Sequence, residues 1–433
     1  MVSVDTTEIP GLLVVHLDVH GDNRGWFKEN WQREKMTALG LPDFGPVQNN
    51  VSFNADAGTI RGIHAEPWDK FVSVAAGRAF GAWVDLREGD SFGRTFWVEL
   101  DPQTAVFVPR GVANSFQVLE DHTAYSYLVN AHWRADAVYT NVNLLDPALA
   151  IPWPADIAEM SEKDRNHPLL ADVTPVPAKR TIVLGANGQL GRALRQARPD
   201  LDFYDRSTVD LADPSTLDAV PWDDVQAIIN AAAYTNVDGA ETPEGRRDAW
   251  AVNVTGVAAL ARIAIERGLT LVNVSSDYVF DGTLEEHPVD EPLSPLGVYG
   301  QTKAAGEAVT STVPRHYIVR TSWVIGDGKN FVDTMRRLAR DGISPSVVDD
   351  QIGRLTPADD LAAGILRLLD TGAPYGVHHV TGTDEPTSWA DIARRIFVEE
   401  GRDAADVTGV STEEYAAGKA TAPRPRNSAL RLD

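Results

Sequence analysis

Tyr299 and Lys303 stand four residues apart in the run Tyr-Gly-Gln-Thr-Lys. On a helix that spacing puts both side chains on one face. A lysine cation there lowers the phenol pKa, and the tyrosine can hand a proton to a carbonyl oxygen that is receiving hydride. Ser276 lies upstream, just past an apolar run, and adds a hydroxyl. A second group of reactive types lies far earlier, where Arg61 and His64 fall close together in Arg-Gly-Ile-His. A lone histidine is more often a satisfied core or surface residue than a ligand. His64 has no His-x-His partner, and His16 and His20 belong to a different run, so no metal site is assigned.

The elements that must position Tyr299 begin at Thr181–Leu194, which reads as a buried strand, a glycine turn and a helix. Gly185, Gly188 and Gly191, with Asn187, Gln189 and Leu190 between them, form a GxxGxxG loop. Glycines let the backbone turn tightly and approach a pyrophosphate, and the helix that follows offers free N–H groups. A second strand, Leu201–Tyr204, ends at Asp205-Arg206. Asp205 is placed for an adenosine ribose and suits NADH; Arg206 suits the 2′-phosphate of NADPH; the cofactor choice stays open. Asp210 and Leu211 are expected beside the adenine. The run 227–233 is a further strand, ending in the small Ala231, Ala232 and Ala233. A long helix over 243–267 and a strand over 269–274 follow, and that strand delivers Ser276, Asp277 and Tyr278 to its C-terminal end, where open α/β sheets bind ligands. Further helices are expected over 331–340, 357–369 and 388–400, and His378-His379 ends a strand. The polar segment 421–433 is expected to fold over the cleft.

The first half differs. Residues 9–130 hold short β-rich runs broken by glycine and proline, with one helical piece at 31–39. That spacing argues an all-β jelly roll. The fold class is therefore multidomain: a cupin-like jelly roll over 1–173, a proline-stiffened linker over 174–179, and a doubly wound Rossmann unit over 180–433.

The bulk numbers agree with two cores. The chain has 433 residues and a net charge of −23, spread over both halves with no basic stripe. Nucleic-acid binding is not expected. With no cysteine, disulfides and thiolate chemistry are excluded. The N-terminus lacks a basic segment followed by an apolar run, and no uninterrupted apolar stretch approaches a membrane span. These features predict a cytoplasmic protein without membrane contact.

Two resemblances sharpen this reading. Asp22–Gly25, Val47–Asn50, Ile60–His64, Lys70, Phe92-Gly93, Val108–Gly111, Tyr125–Leu128, Ile151–Pro154 and Ser161–Asp164 together resemble the dTDP-4-dehydrorhamnose 3,5-epimerase family. Asn230–Glu241, Ser275–Gly282, Pro295–Glu307, Val319–Val324, Asp350–Gly353 and Arg424–Ser428 resemble the dTDP-4-dehydrorhamnose reductases among the extended short-chain dehydrogenases/reductases. The first resemblance implies His64 as base, Asp164 as its carboxylate partner, Lys70 as the enolate-stabilising cation and Tyr127 as acid. It also implies that Arg24, Glu29, Gln48, Asn50 and Arg61 hold the nucleotide, and that a homodimer forms through this domain. The second implies catalysis by Ser276, Tyr299 and Lys303, with Val237, Asp277, Trp323 and Arg424 toward the sugar nucleotide. Some relatives use magnesium at an oligomer contact, but no residue here points to it. Together the halves imply a bifunctional enzyme of dTDP-L-rhamnose synthesis that epimerises and then reduces a dTDP-4-keto sugar. The alternatives are a UDP- or GDP-linked substrate, or a non-catalytic NADP-binding regulatory subunit.

One segment and four positions depart from the family patterns. The segment from His64 to Lys70 is short. Asn114-Ser115 stands where a histidine and glycine are usual, so Asn114 can hydrogen-bond in the site without titrating. Ser276 replaces a threonine and keeps the hydroxyl, and Ala429 stands where an arginine is common.

Overall fold

The short runs of the first half pair into two antiparallel sheets. The computed structural model describes residues 2–135, 137–222 and 224–432, and the chain divides into two units, Met1–Ala178 and Lys179–Asp433. In the first unit one sheet has the spatial order Ser3–Thr6, Leu13–His16, Thr104–Val108, Lys70–Ala76, Thr123–Val129 and Gln48–Asn54. The other runs Thr140–Asn141, Ile60–Ala65, Val112–Val118, Ala79–Asp85 and Thr95–Leu100. Val72, Val74, Val106 and Tyr125 of the first sheet share a core with Trp83, Val112, Phe116 and Val118 of the second. Face-to-face packing of alternating apolar residues is what a jelly roll requires.

Some elements escape a reading by hydrophobic pattern. Val112–Val118 carries Ser115 and Gln117 into the interior, which breaks the apolar alternation. Both are satisfied there: Ser115 Oγ donates to the Ala82 carbonyl at 2.7 Å and Gln117 Nε2 to the Ala155 carbonyl at 2.8 Å. A hairpin pairs Val19–Asp22 with Gly25–Lys28 and leaves Trp26 and Phe27 exposed. The helix expected over 31–39 is Arg33–Ala38, begun by the Gln32 side chain, which accepts from the Lys35 N–H. The stretch read as a linker is partly bound to the first unit. Val176 N–H donates to the Leu86 carbonyl at 2.7 Å, and the Val176 carbonyl accepts from Glu88 N–H at 2.9 Å.

The second unit is built on a parallel six-stranded sheet in the order Asp202–Tyr204, Arg180–Leu184, Val225–Asn230, Thr270–Val274, His316–Arg320, Gly376–His379. The chain leaves Arg180–Leu184 to one side and returns on the other, at Val225–Asn230. That reversal opens a crevice at the C-terminal strand ends. The helix over 243–267 is continuous but widens into a π-turn at Ala251–Gly256. There the buried Asn253 side chain accepts from Tyr234 N–H and donates to the Thr302 hydroxyl. By length and mean composition this helix could cross a membrane, although Asn253, Thr255 and Arg262 interrupt its apolar run. Its Leu260, Ala261 and Ala264 instead lie in the sheet's core.

The glycine turn shows why two of its positions admit no side chain. Gly185 has φ +85°, and a Cβ there would lie 2.7 Å from Ala232 N. At Gly191 a Cβ would lie 2.3 Å from the Gly185 carbonyl oxygen. The helix Gln189–Ala197 thus presses directly on the loop. Because backbone rather than a flexible tip opposes the methyl, Gly191→Ala is expected to destabilise the second unit by about 1–3 kcal/mol. Denaturant unfolding followed on the full chain tests this; an unchanged midpoint for that unit would refute the close-approach argument.

Candidate active sites

In the first unit, a cavity of about 470 Å³ is lined by Arg61, His64, Glu66, Lys70, Asn114, Tyr125, Tyr127 and Asp164 among others. His64 comes from Ile60–Ala65, Lys70 from the start of Lys70–Ala76, and Tyr127 from Thr123–Val129, so both sheets contribute. Asp164 sits on the short helix Glu162–Arg165, which Ser161 caps by accepting from Asp164 N–H. His64 Nε2 lies 2.7 Å from Asp164 Oδ1. Burial pushes the Asp164 carboxyl up, but the hydrogen bond and charge of His64 outweigh it and hold the group below its usual value.

Lys70 is 3% exposed, and its ammonium lies 3.1 Å from Glu66 Oε2. Burial lowers its pKa and the Glu66 carboxylate opposes that fall. The short His64–Lys70 segment therefore still brings Lys70 to the cavity, with Glu66 as its ion-pair partner. Sequence reasoning missed Glu66, because it is the turn between strands Ile60–Ala65 and Lys70–Ala76, not helical spacing, that brings it to Lys70. Burial, then the Glu66 charge, raise the Tyr127 phenol, so it stays protonated at neutral pH. Asn114 Oδ1 accepts from the Tyr125 hydroxyl at 2.9 Å, which gives the departing asparagine a definite role in orienting that ring.

Arg24, Glu29, Gln48 and Asn50 do not line this cavity. Arg24 pairs with Asp22 on the exposed hairpin, and Glu29 with Lys35 at 2.8 Å. Gln48 donates to Asn50 Oδ1 at 2.9 Å and accepts from Trp133 N–H. Gln48 and Asn50 do share the face of their strand with Ser52, which reaches the wall. His167 was also missed. It lies three residues after Asp164, buried behind the pair, with its ring centroid 5.3 Å from that of His64.

In the second unit a cavity of about 1030 Å³ opens at the crevice. Its wall includes Gly185, Asn187, Gly188, Gln189, Leu190, Asp205, Arg206, Asp210, Leu211 and Ala231–Ala233, then Ser276, Asp277, Tyr299, Lys303 and Trp323. That volume is at the top of the ~300–1,000 Å³ usual for one small ligand. Helix Gln189–Ala197 has no side-chain cap, leaving its first N–H groups for an anion. Gln189 Oε1 and Thr321 Oγ1 are buried polar atoms on this wall without a partner among the described residues. A polar dinucleotide fits such a wall. Asp205 accepts from Ser207 and, at 2.9 Å, from Asn187 Nδ2; Arg206 is 80% exposed beside it and pairs with Asp210.

Ser276 Oγ donates to Asp277 Oδ1 at 2.8 Å and also bonds the Tyr299 phenol. Burial raises Asp277 to about 6. Lys303 Nζ donates to the Val274 carbonyl at 2.6 Å, and burial lowers it to about 8. The expected lowering of the phenol is not found: burial raises Tyr299 to about 12. The ammonium is aimed at a backbone carbonyl, so it does not offset the phenol's desolvation.

Three assigned residues lie outside this cavity wall. Gly191 serves helix–loop packing. Val237 is half-buried next to it in sequence order after Asn236, which does line the wall. Arg424 is neutralised by Asp238 at 2.9 Å and also meets Tyr278, so the C-terminal segment braces the wall from behind. Ala429 is fully buried and offers no anion contact. Trp323 stacks on Trp389 at 3.7 Å, which fixes its ring at the cavity.

The family model for the RmlD substrate binding domain matches residues 179–433, and that for dTDP-4-dehydrorhamnose 3,5-epimerase matches residues 6–172. The chain is 54% identical to a Protein RmlC homolog of Streptococcus pyogenes over 40% of its own length and 91% of that protein's. It is 40% identical to a dTDP-4-dehydrorhamnose reductase of Mycobacterium tuberculosis over 58% of its length and 85% of that protein's. The crystal structure of a dTDP-4-dehydrorhamnose reductase from Bacillus anthracis in complex with NADP is similar, with a TM-score of 0.55 and 36% identity, covering 59% of this chain and 91% of that one. The chain therefore belongs to both families, the dTDP-4-dehydrorhamnose 3,5-epimerases through its first unit and the RmlD-type reductases through its second.

Proposed function

We propose that this chain is a bifunctional enzyme of dTDP-L-rhamnose synthesis. Its first unit, taken as 1–173, epimerises dTDP-4-dehydro-6-deoxy-D-glucose at carbons 3 and 5. Its second, taken as 180–433, reduces the carbon-4 ketone with NADPH or NADH. The observation that carries the reading is the meeting of His64 and Asp164 at 2.7 Å in one cavity, and of Ser276, Tyr299 and Lys303 around another, within one chain.

The carbon-4 ketone acidifies the C–H bonds at carbons 3 and 5. His64 takes a proton, and Asp164 stabilises the imidazolium that results. Lys70 balances the enolate oxygen, and Glu66 keeps that buried ammonium charged. Tyr127, protonated at neutral pH, returns a proton from another wall. Arg61 and Asn114 position the substrate. In the second unit the Gly185–Leu190 loop, Asp205 and Ala231–Ala233 would hold a reduced nicotinamide cofactor, which would supply hydride for carbon 4. Tyr299 gives its proton to the carbonyl oxygen, Ser276 orients that phenol, and Lys303 contributes positive charge. Trp323 and Asp277 meet the sugar. Asp205 suits a ribose and Arg206 a 2′-phosphate, so both cofactor forms are retained.

A homodimer through the first unit is part of the proposal. Val51 and Phe53 on the edge strand are 63% and 62% exposed, and Phe27 on the hairpin is 69% exposed. Exposed apolar clusters of this kind mark contact surfaces. Arg24 sits at the turn of the hairpin that carries Phe27 and Glu29 directly follows it, where docking of a second copy would give them a ligand-facing role. Light scattering is expected to give twice the chain mass, with Phe27→Asp and Phe53→Asp together shifting it to the monomer; a monomeric parent protein would refute the dimer.

In deuterated water without cofactor, the dTDP-4-keto sugar is expected to gain deuterium at carbons 3 and 5. His64→Ala should abolish this. With NADPH or NADH, oxidation of the cofactor should follow, and Tyr299→Phe should slow it by about 10²-fold or more while leaving exchange intact. No deuterium uptake by the parent protein would overturn the epimerase assignment. The pH profile gives a separate check. Lys303 has its pKa lowered to about 8, so its ammonium is present below that value and lost above it. The reduction step, measured in single turnover, is expected to fall as pH rises through about 8; a flat profile through that range would remove Lys303's charge from the mechanism.

A further inference from the structure

His167 carries a feature that the epimerase reading leaves unused. Its side chain is 6% exposed, and neither ring nitrogen has a hydrogen-bond partner among the described residues. A buried imidazole always has at least one N–H and one lone pair to satisfy, or two N–H groups when charged. His167 Nε2 lies 3.9 Å from Asp164 Oδ1, too far for a hydrogen bond. That same oxygen lies 2.7 Å from His64 Nε2. The donor atoms of His64, Asp164 and His167 all lie within 4.8 Å of one another.

We infer that His64, Asp164 and His167 form a binding site for a divalent transition-metal ion of the zinc class, and that its occupation switches off the epimerase unit. Two imidazoles and one carboxylate are a donor set suited to zinc. Metal–ligand arms of about 2.0–2.1 Å in a tetrahedron put neighbouring donors about 3.3–3.4 Å apart. The present separations of 2.7 and 3.9 Å lie on either side of that value, so small side-chain rotations close the set. His64 and Asp164 line the cavity, and so the fourth position opens to water or substrate. Ion entry takes the Nε2 that His64 shares with Asp164; the imidazole proton then moves to Nδ1, and the ring is left without the lone pair it needs as a base. It also satisfies a nitrogen of His167 that is otherwise orphaned. Lys163, on the same short helix and at the cavity wall, opposes a cation and limits its affinity. This inference rests on the proposed role of His64 only for its inhibitory consequence; the binding stands separately.

The test uses the full chain after chelator treatment. Calorimetric titration with Zn²⁺ should show one ion bound per chain, and Co²⁺ should give the visible bands of four-coordinate cobalt. Bound Zn²⁺ should protect His64 from diethyl pyrocarbonate, read by peptide mass. It should also stop deuterium uptake by the sugar nucleotide, reversibly with chelator. His167→Phe should weaken metal binding by more than about tenfold, since even outer partners of ligands are worth ~10–100-fold. His167→Gln serves as a second variant should the larger ring perturb folding. Absence of Zn²⁺ binding to the parent chain overturns the site outright, as does binding that leaves His64 reactive or that both variants retain. Binding and protection without any deuterium uptake in the metal-free protein would uphold the metal site while refuting the epimerase reading.

Discussion

Burying an ammonium is unfavourable, and both halves of this chain do so at their reactive cavities. Lys70 is 3% exposed and Lys303 5% exposed. In each case desolvation pulls the pKa down, and a nearby carboxylate, Glu66 or Glu307, opposes that pull. The reason for accepting this cost is common to both. Each proposed reaction builds negative charge on the same carbon-4 oxygen, as an enolate in one unit and an alkoxide in the other. A fixed cation in a site of low dielectric stabilises such charge far more than it would in water.

Rigid surroundings are needed to hold these cations in place. Lys70 begins a strand in the middle of its sheet, between Thr104–Val108 and Thr123–Val129. Lys303 lies on the helix Val298–Thr310, held to the Val274 carbonyl beside the sheet. Behind it, Glu307 is locked by Arg320 and by Ser275 Oγ in a fully buried network. Both cations are thus held by neighbours on different elements. The order of the reactions is also chemical: reduction removes the ketone that acidifies carbons 3 and 5, so epimerisation must come first.

Much of the architecture was legible because local rules governed it. The helix over 331–340 has the predicted ends, since Asn330 caps it by accepting from Asp333 N–H. The glycine turn formed where predicted because only glycine tolerates the close approach of Ala231 and Ala232 to Gly185. Pattern reading failed where side chains satisfy one another across the fold. Ser115 and Gln117 break the apolar alternation of their strand yet are buried against carbonyls of other segments. The lysine's effect on Tyr299 was misjudged for a similar reason, since helical spacing says nothing about which carbonyl captures the ammonium.

By itself, the sequence determined the two fold classes, their order along the chain, the families and many of the reactive side chains that line the two cavities. Those follow from periodicity, glycine and proline placement, and short motifs, all of which act within a few residues. Only the tertiary structure decided that Glu66 is the partner of Lys70, that His167 stands unsatisfied behind His64 and Asp164, and that Arg424 faces Asp238 rather than the cavity. It also decided that Tyr299 is raised by burial rather than lowered by its neighbour. Desolvation and hydrogen-bond partnership depend on what the folded chain packs around a group, and that surrounding comes from residues distant in sequence.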